Sequence, residues 1–110
     1  MAVDYEAAMK AIEGYVHDVA NALPISKAIL YGSYAKGTAS EYSDVDICFF
    51  LDKLETKQRM DVITKMLAIT RDYNTIYIEP RAFPISEIGN GNSFVNEVLA
   101  TGKEIHLSAS

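Results

Sequence analysis

The sequence predicts a small α/β domain, a mixed sheet with helices on one face and a functional site on the other. Three observations carry this expectation. Apolar residues recur at helical spacing from Tyr5 to Leu23. Three runs rich in apolar and β-branched residues, Ala28 to Tyr31, Val45 to Leu51 and Thr75 to Glu79, have the length of strands. The elements follow in the order helix, strand, turn, strand, helix, strand, helix, which suits one layer of strands covered by helices. With 110 residues, 49% of them hydrophobic, the chain can bury one modest core, so residues 1–110 read as one domain.

Each element has a local reason. In the first helix Tyr5, Ala8, Met9, Ile12, Tyr15, Val16, Val19 and Leu23 form one stripe, Asp4 stands where a cap is needed, and Pro24 ends the run. The strand from Ala28 to Tyr31 leads into a glycine turn, which opens a short helix around Tyr34 to Gly37 whose amides suit a phosphate. A polar loop from Thr38 to Ser43 precedes the second strand. Thr56 is the expected cap of a second helix reaching about Asp72, with Met60, Ile63, Leu67 and Thr70 as its inner stripe. The third strand, Thr75 to Glu79, is expected to stop at Pro80. A loop rich in Pro, Gly and Asn follows through Asn92, then a short helix from Ser93 to Thr101 closed by Gly102, and an edge strand from Glu104 to Leu107. No repeat, low-complexity tract or linker interrupts this order.

Charge and cysteine usage narrow the function classes. A formal charge of -5 disfavours nucleic acid as a partner, because a nonspecific binder carries a basic stripe to displace counterions from phosphates. The single cysteine, Cys48, sits in an apolar run, permits no intrachain disulfide and reads as a buried inert thiol. The N-terminus lacks a secretion pattern, and no apolar run approaches the roughly 20 residues that span a bilayer. The expectation is a soluble, cytoplasmic protein without a membrane partner.

The chemistry concentrates in Gly32-Ser33-Tyr34-Ala35-Lys36-Gly37-Thr38, followed by Ser43-Asp44-Val45-Asp46-Ile47. Side chains alternate along a strand, so Asp44 and Asp46 share one face while Val45 and Ile47 take the other. Two like charges held so close are tolerable around a divalent cation, and carboxylate oxygens suit Mg2+ or Mn2+ better than zinc. Alternation in the third strand sends Ile76 and Ile78 to the core, and Tyr77 and Glu79 to the opposite face. Glu79 thereby becomes the third candidate carboxylate, against the alternative of a solvated strand end.

These residues resemble the signature of the nucleotidyltransferase superfamily: Gly-Ser, ten intervening residues, then Asp-x-Asp. Gly32-Ser33 and Asp44-Val45-Asp46 match that spacing without a gap, and Lys36-Gly37-Thr38 matches the usual basic-Gly-Thr continuation. The remainder, down to Phe94-Val95, Val98-Leu99, Gly102 and Ile105, looks like the short stand-alone version, the minimal nucleotidyltransferase. The resemblance implies a cut-down polymerase-beta-like palm. It also implies a two-metal site with Asp44, Asp46 and a third carboxylate from a neighbouring strand, and transfer of a nucleoside monophosphate, AMP from ATP, to an acceptor. The family's usual third residue is often Asp, so Glu79 departs from the pattern.

Gly32 and Ser33 are then the phosphate-holding residues, with Lys36 balancing triphosphate charge or facing solvent. Thr38 and Ser43 organise the loop. Arg81 could reach a phosphate or a partner, and the sequence does not decide. Tyr31, Tyr34, Tyr42 and Tyr77 cluster near the motif, as base-stacking or packing residues. His17 and His106 have no company that suggests a role. Small members of the family resemble the antitoxin half of toxin–antitoxin modules, so the implied partner is a helical HEPN-type toxin carrying the acceptor. Two other readings stand beside it: an inactive module that neutralises such a partner by occlusion, and an enzyme modifying an antibiotic or other small molecule. The last is weakened by the lack of an acceptor-binding domain.

Overall fold

The computed structural model describes residues 3–107. Four strands form one mixed sheet in the order β3-β2-β1-β4. These are β1 (Ile25–Tyr31), β2 (Asp44–Leu51), β3 (Tyr77–Pro84) and β4 (Lys103–Ile105). β1 runs antiparallel to both β2 and β4, while β2 and β3 are parallel, so the chain crosses over between β2 and β3. The helices are α1 (Tyr5–Ala22), α2 (Ser33–Lys36), α3 (Arg59–Ile69) and α4 (Ser93–Thr101).

α1 forms as the periodicity requires. The Ala7 amide donates to Asp4 Oδ1 at 3.1 Å, which satisfies one of the amides that a helix start leaves unpaired. Leu23, forced out of helical geometry by the following Pro24, closes the other end with φ -136 and ψ 154. Ile12, Tyr15, Val16 and Val19 are fully buried and pack on Leu30, Val45, Ile47, Phe49 and Leu51 of the sheet. Each such side chain contributes roughly 1.5–3 kcal/mol.

The second helix differs from expectation in its phase and its cap. It is divided into a 3-10 turn (Thr56–Gln58), α3, and a second 3-10 turn (Thr70–Tyr73). Its cap is Glu55 rather than Thr56: the Glu55 amide donates to Gln58 Oε1 at 3.2 Å and the Glu55 side chain accepts in return. The inner stripe is Val62, Ile63, Met66, Ile69 and Tyr73, with Met66 fully buried, so of the expected apolar stripe Ile63 keeps its place. Met60 and Leu67 stand 73% and 48% exposed. The helix carries two apolar stripes, and tertiary contact chooses between them: the buried Tyr15 hydroxyl donates to the Met66 carbonyl at 2.8 Å.

Pro80 does not stop the third strand, which runs on to Pro84. β3 is the outermost strand and pairs only with β2, so a residue without an N–H is accommodated where that group would face away from the ladder. α1 and α3 cover one face of the sheet, as expected. α4 adds a feature the order of elements did not reveal: Val95 and Val98 pack on Ile29, Cys48 and Phe50, covering part of the other face. Asn92 caps α4 through the Val95 amide, and Gly102 closes it. The last strand begins and ends earlier than expected, at Lys103 and Ile105.

Candidate active site

The part of that second face not covered by α4 carries the charged residues. Strand register sets Tyr31 opposite Asp46 and Asp46 opposite Glu79, so the three form a row across β1, β2 and β3. Asp44 lies opposite Tyr77, and Cys48 opposite Arg81. Because paired residues share a face, Asp44, Asp46 and Glu79 project to the same side. Asp44 and Glu79 are exposed and Asp46 is half-buried.

The turn before this row is built against it. Gly32 has φ 76, a left-handed conformation that a residue with a Cβ rarely adopts, and a Cβ placed there would collide with the Asp46 carboxylate. The Gly32 carbonyl accepts from the amides of Ala35 and Lys36, each at 3.1 Å, and starts the single turn of α2. Ser33 is the first residue of that turn, and the opening amides of a helix have no intrahelical acceptor. Lys36 is exposed on the last residue of α2, and Gly37, with φ 75, ends it.

Electrostatics mark the row as strained. The Asp46 carboxyl is raised above the usual carboxylate range, first by burial and then by the negative charges of Glu79 and Asp44, with Arg81 opposing. The Tyr31 hydroxyl is pushed up to about 12 by burial, which Arg81 partly offsets. That hydroxyl is buried and lies near Arg81 without completing a well-aligned hydrogen bond. Cys48 is a buried free thiol, likewise raised to about 12 by burial, so it is no nucleophile at neutral pH.

Among the described residues, no three His, Cys, Asp or Glu side chains converge as a ready-made cation cage. Mg2+ is held by one or two carboxylates together with substrate phosphates, and it seldom occupies an all-protein cage. The donor set fits on the same ground: a half-buried carboxylate, repelled by two neighbours of its own charge, gains most from a shared divalent cation. A groove of about 440 Å³ opens beside Asp44 and Glu79, lined also by Thr70, Ile76, Tyr77 and Ile78. Its size falls in the range of small-ligand sites.

Two features escaped the sequence. The pairing of Tyr31 with Asp46 depends on β1 register, and Phe94 comes to the site face only because α4 folds back over it. Arg81 was visible as a cation after the third strand; that it lies on the carboxylate face follows once β3 is seen to continue through Pro80.

A mixed sheet with a Gly-Ser turn packed against Asp46, which shares its face with Asp44 and Glu79, is the architecture of a nucleotidyl-transfer palm. The chain belongs to the family of polymerase beta nucleotidyltransferases, whose model matches residues 16–108. Solved structures share the fold. A candidate nucleotidyltransferase from Sulfolobus solfataricus superposes with a TM-score of 0.59 at 19% identity, over 78% of this chain and 75% of that one. A toxin–antitoxin structure with AMP-PNP gives 0.55 at 22% identity, over 88% of this chain and 74% of that one. A double variant of the MntA-HpeT toxin–antitoxin gives 0.52 at 19%, over 88% and 74%. Among curated proteins, none shows significant similarity to this chain. No helix among the described residues is long and apolar enough to cross a membrane.

Proposed function

We propose that the protein transfers a nucleoside monophosphate, AMP from ATP, to a hydroxyl of an acceptor protein. The observation that supports this most is the shared face of Asp44, Asp46 and Glu79 beside the Gly32-Ser33 turn. In the reaction an acceptor oxygen forms a bond to the α-phosphorus while the bond from that phosphorus to the pyrophosphate oxygen breaks. Pyrophosphate leaves, and the hydroxyl proton passes to Glu79 or to solvent.

The open amides at Ser33 and its hydroxyl hold the outer phosphates, and Lys36 neutralises part of their charge. Asp44 and Asp46 hold divalent cations, Mg2+ or Mn2+, with Glu79 completing the set on the acceptor side. When bound, a pair of such ions neutralises charge on the attacking and leaving oxygens. Gly32 keeps the phosphate turn and the Asp46 carboxylate in contact, so substrate and cation are brought to one place.

The acceptor is read as a protein because solved structures sharing this fold include toxin–antitoxin assemblies. These neighbours support a toxin as that protein, and we read it as a helical toxin of the HEPN type. Neutralisation of such a toxin by occlusion alone is the second reading, which the same toxin–antitoxin neighbours accommodate. Incubation with Mg2+, α-labelled ATP and the candidate toxin separates the two. Label on the toxin supports transfer, whereas a tight complex without label supports occlusion.

A further inference from the structure

We propose that Arg59, Phe83, Phe94 and Arg81 form a docking strip for an acidic segment of the acceptor protein, adjacent to its nucleotide-accepting hydroxyl. The proposal rests on the nucleotidyl-transfer reading above and extends it to acceptor specificity.

The strip is continuous. The Arg59 guanidinium lies 4.8 Å from the centroid of the Phe83 ring, and that of Arg81 lies 5.1 Å from the Phe94 ring. The two rings contact each other with centroids 5.7 Å apart. Phe94 meets Tyr31 edge-on at 5.6 Å, and Tyr31 is the residue opposite Asp46. The aromatic path therefore starts at an arginine on α3 and ends at the carboxylate row. Arg81 lies opposite Cys48 in the β2–β3 ladder, and Phe83, under Arg59, lies opposite Phe50 two residues further along the same strands.

Neither guanidinium is locked in an ion pair, although Arg81 also lies near enough to Asp46 and Tyr31 to act on both. Among the described residues, ion pairs join Lys27 to Glu104 and Lys57 to Glu55, whereas neither Arg59 nor Arg81 belongs to one. Both arginines are exposed. A guanidinium held against a ring loses little freedom when it meets a carboxylate, and its fork matches that group with two hydrogen bonds. The chain carries -5 overall, so two arginines at the edge of its site, with Arg59 the farther from the carboxylate row, form a local exception. At physiological salt, fields are screened within about 8 Å, so the strip and not the net charge governs a segment lying on it.

The strip fits a protein better than a nucleic acid. Nucleic-acid binding draws on many phosphate contacts, each needing a cation, and two arginines on an acidic protein supply few. Two carboxylates near an acceptor hydroxyl match two guanidiniums, and the half-buried phenylalanines between them offer apolar contact.

The test uses the full chain and short fluorescent peptides containing one tyrosine, flanked by Asp and Glu, by Asn and Gln, or by Lys. Single-stranded RNA of similar length is the fourth probe. Fluorescence anisotropy is expected to show the acidic peptide binding at least about tenfold more tightly than the neutral one. An R59E/R81E double variant, folded by circular dichroism, should lose that preference, and R59Q/R81Q should weaken it. The D44N/D46N variant should keep it. No acidic preference, an undiminished preference in R59E/R81E, or tighter binding of RNA overturns the proposal. Transfer of label from ATP is read on the same peptides: binding preference without transfer would count against the nucleotidyl-transfer reading and leave the strip standing, while transfer without preference would do the reverse.

Discussion

Gly32 and Asp46 touch across the β1–β2 pair, so closely that no side chain fits at position 32 without displacing the carboxylate. The turn proposed to hold phosphate and the carboxylate proposed to hold cation are thus one packed unit. That contact explains why a small residue with a left-handed backbone sits at the end of β1.

Gly32→Ala should therefore act twice. The backbone at φ 76 and ψ -155, a region almost confined to glycine, costs a residue with a Cβ roughly 1–3 kcal/mol, to be read as a lower urea midpoint. Displacement of the Asp46 carboxylate by the added methyl should lower transfer about a hundredfold, the scale of a misplacement of about 1 Å. Activity near that of the native chain would show that the contact is not needed.

Asp46 should destabilise the metal-free protein at neutral pH. A carboxyl raised on folding binds its proton more tightly when folded, so stability falls as pH rises from the unfolded pKa through the higher folded one. Asp46→Asn removes this cost. In chelator at neutral pH the variant should melt above the native chain, and the gap should close in acid, where both forms are protonated. Added Mg2+ with nucleotide should raise the melting temperature of the native protein and leave that of the variant nearly unchanged.

Tyr31→Phe should leave stability unchanged or raise it by about 1 kcal/mol, since the buried hydroxyl has no well-made hydrogen bond to lose. Thermal denaturation of the two proteins decides this, and a marked loss would mean that the Tyr31–Arg81 contact is a strong bond.

Met66 and Leu67 are neighbours with opposite fates. Met66→Ala should cost about 2–5 kcal/mol because its side chain is fully enclosed, while Leu67→Ala should fall within about 0.5 kcal/mol because half of it faces solvent. Urea denaturation of both variants checks the phase of α3 directly.

That phase shows where the sequence ceased to be legible. α1 was readable because one apolar stripe and two caps agree, and α4 because Asn92 and Gly102 bracket it. α3 was misread at Met60 and Leu67 because Met60, Ile63 and Leu67 make as regular a stripe as Val62, Met66 and Ile69; Ile63 borders both and packs on the core, and the bond from Tyr15 to the Met66 carbonyl lies on the buried side. Pro80 misled for a related reason. A proline ends a central strand, and nothing local to it says that β3 is an edge.

The alternation of Asp44, Asp46 and Glu79 was legible because strand period fixes the face. Tyr31 and Phe94 were not, since their place depends on register and on a helix that returns from the end of the chain.

The central claim is that Asp44, Asp46 and Glu79 act together in nucleotidyl transfer, and one measurement tests it most directly. The native chain, Glu79→Gln and the Asp44→Asn, Asp46→Asn double variant are each incubated with Mg2+, α-labelled ATP and the candidate toxin, and label on the toxin is followed with time. The account predicts steady labelling by the native chain, a fall of at least about a hundredfold in rate for Glu79→Gln, and none detectable for the double variant, with all three proteins folded. Equal labelling by the native chain and the double variant, or no labelling by any of them despite a stable complex, would contradict it.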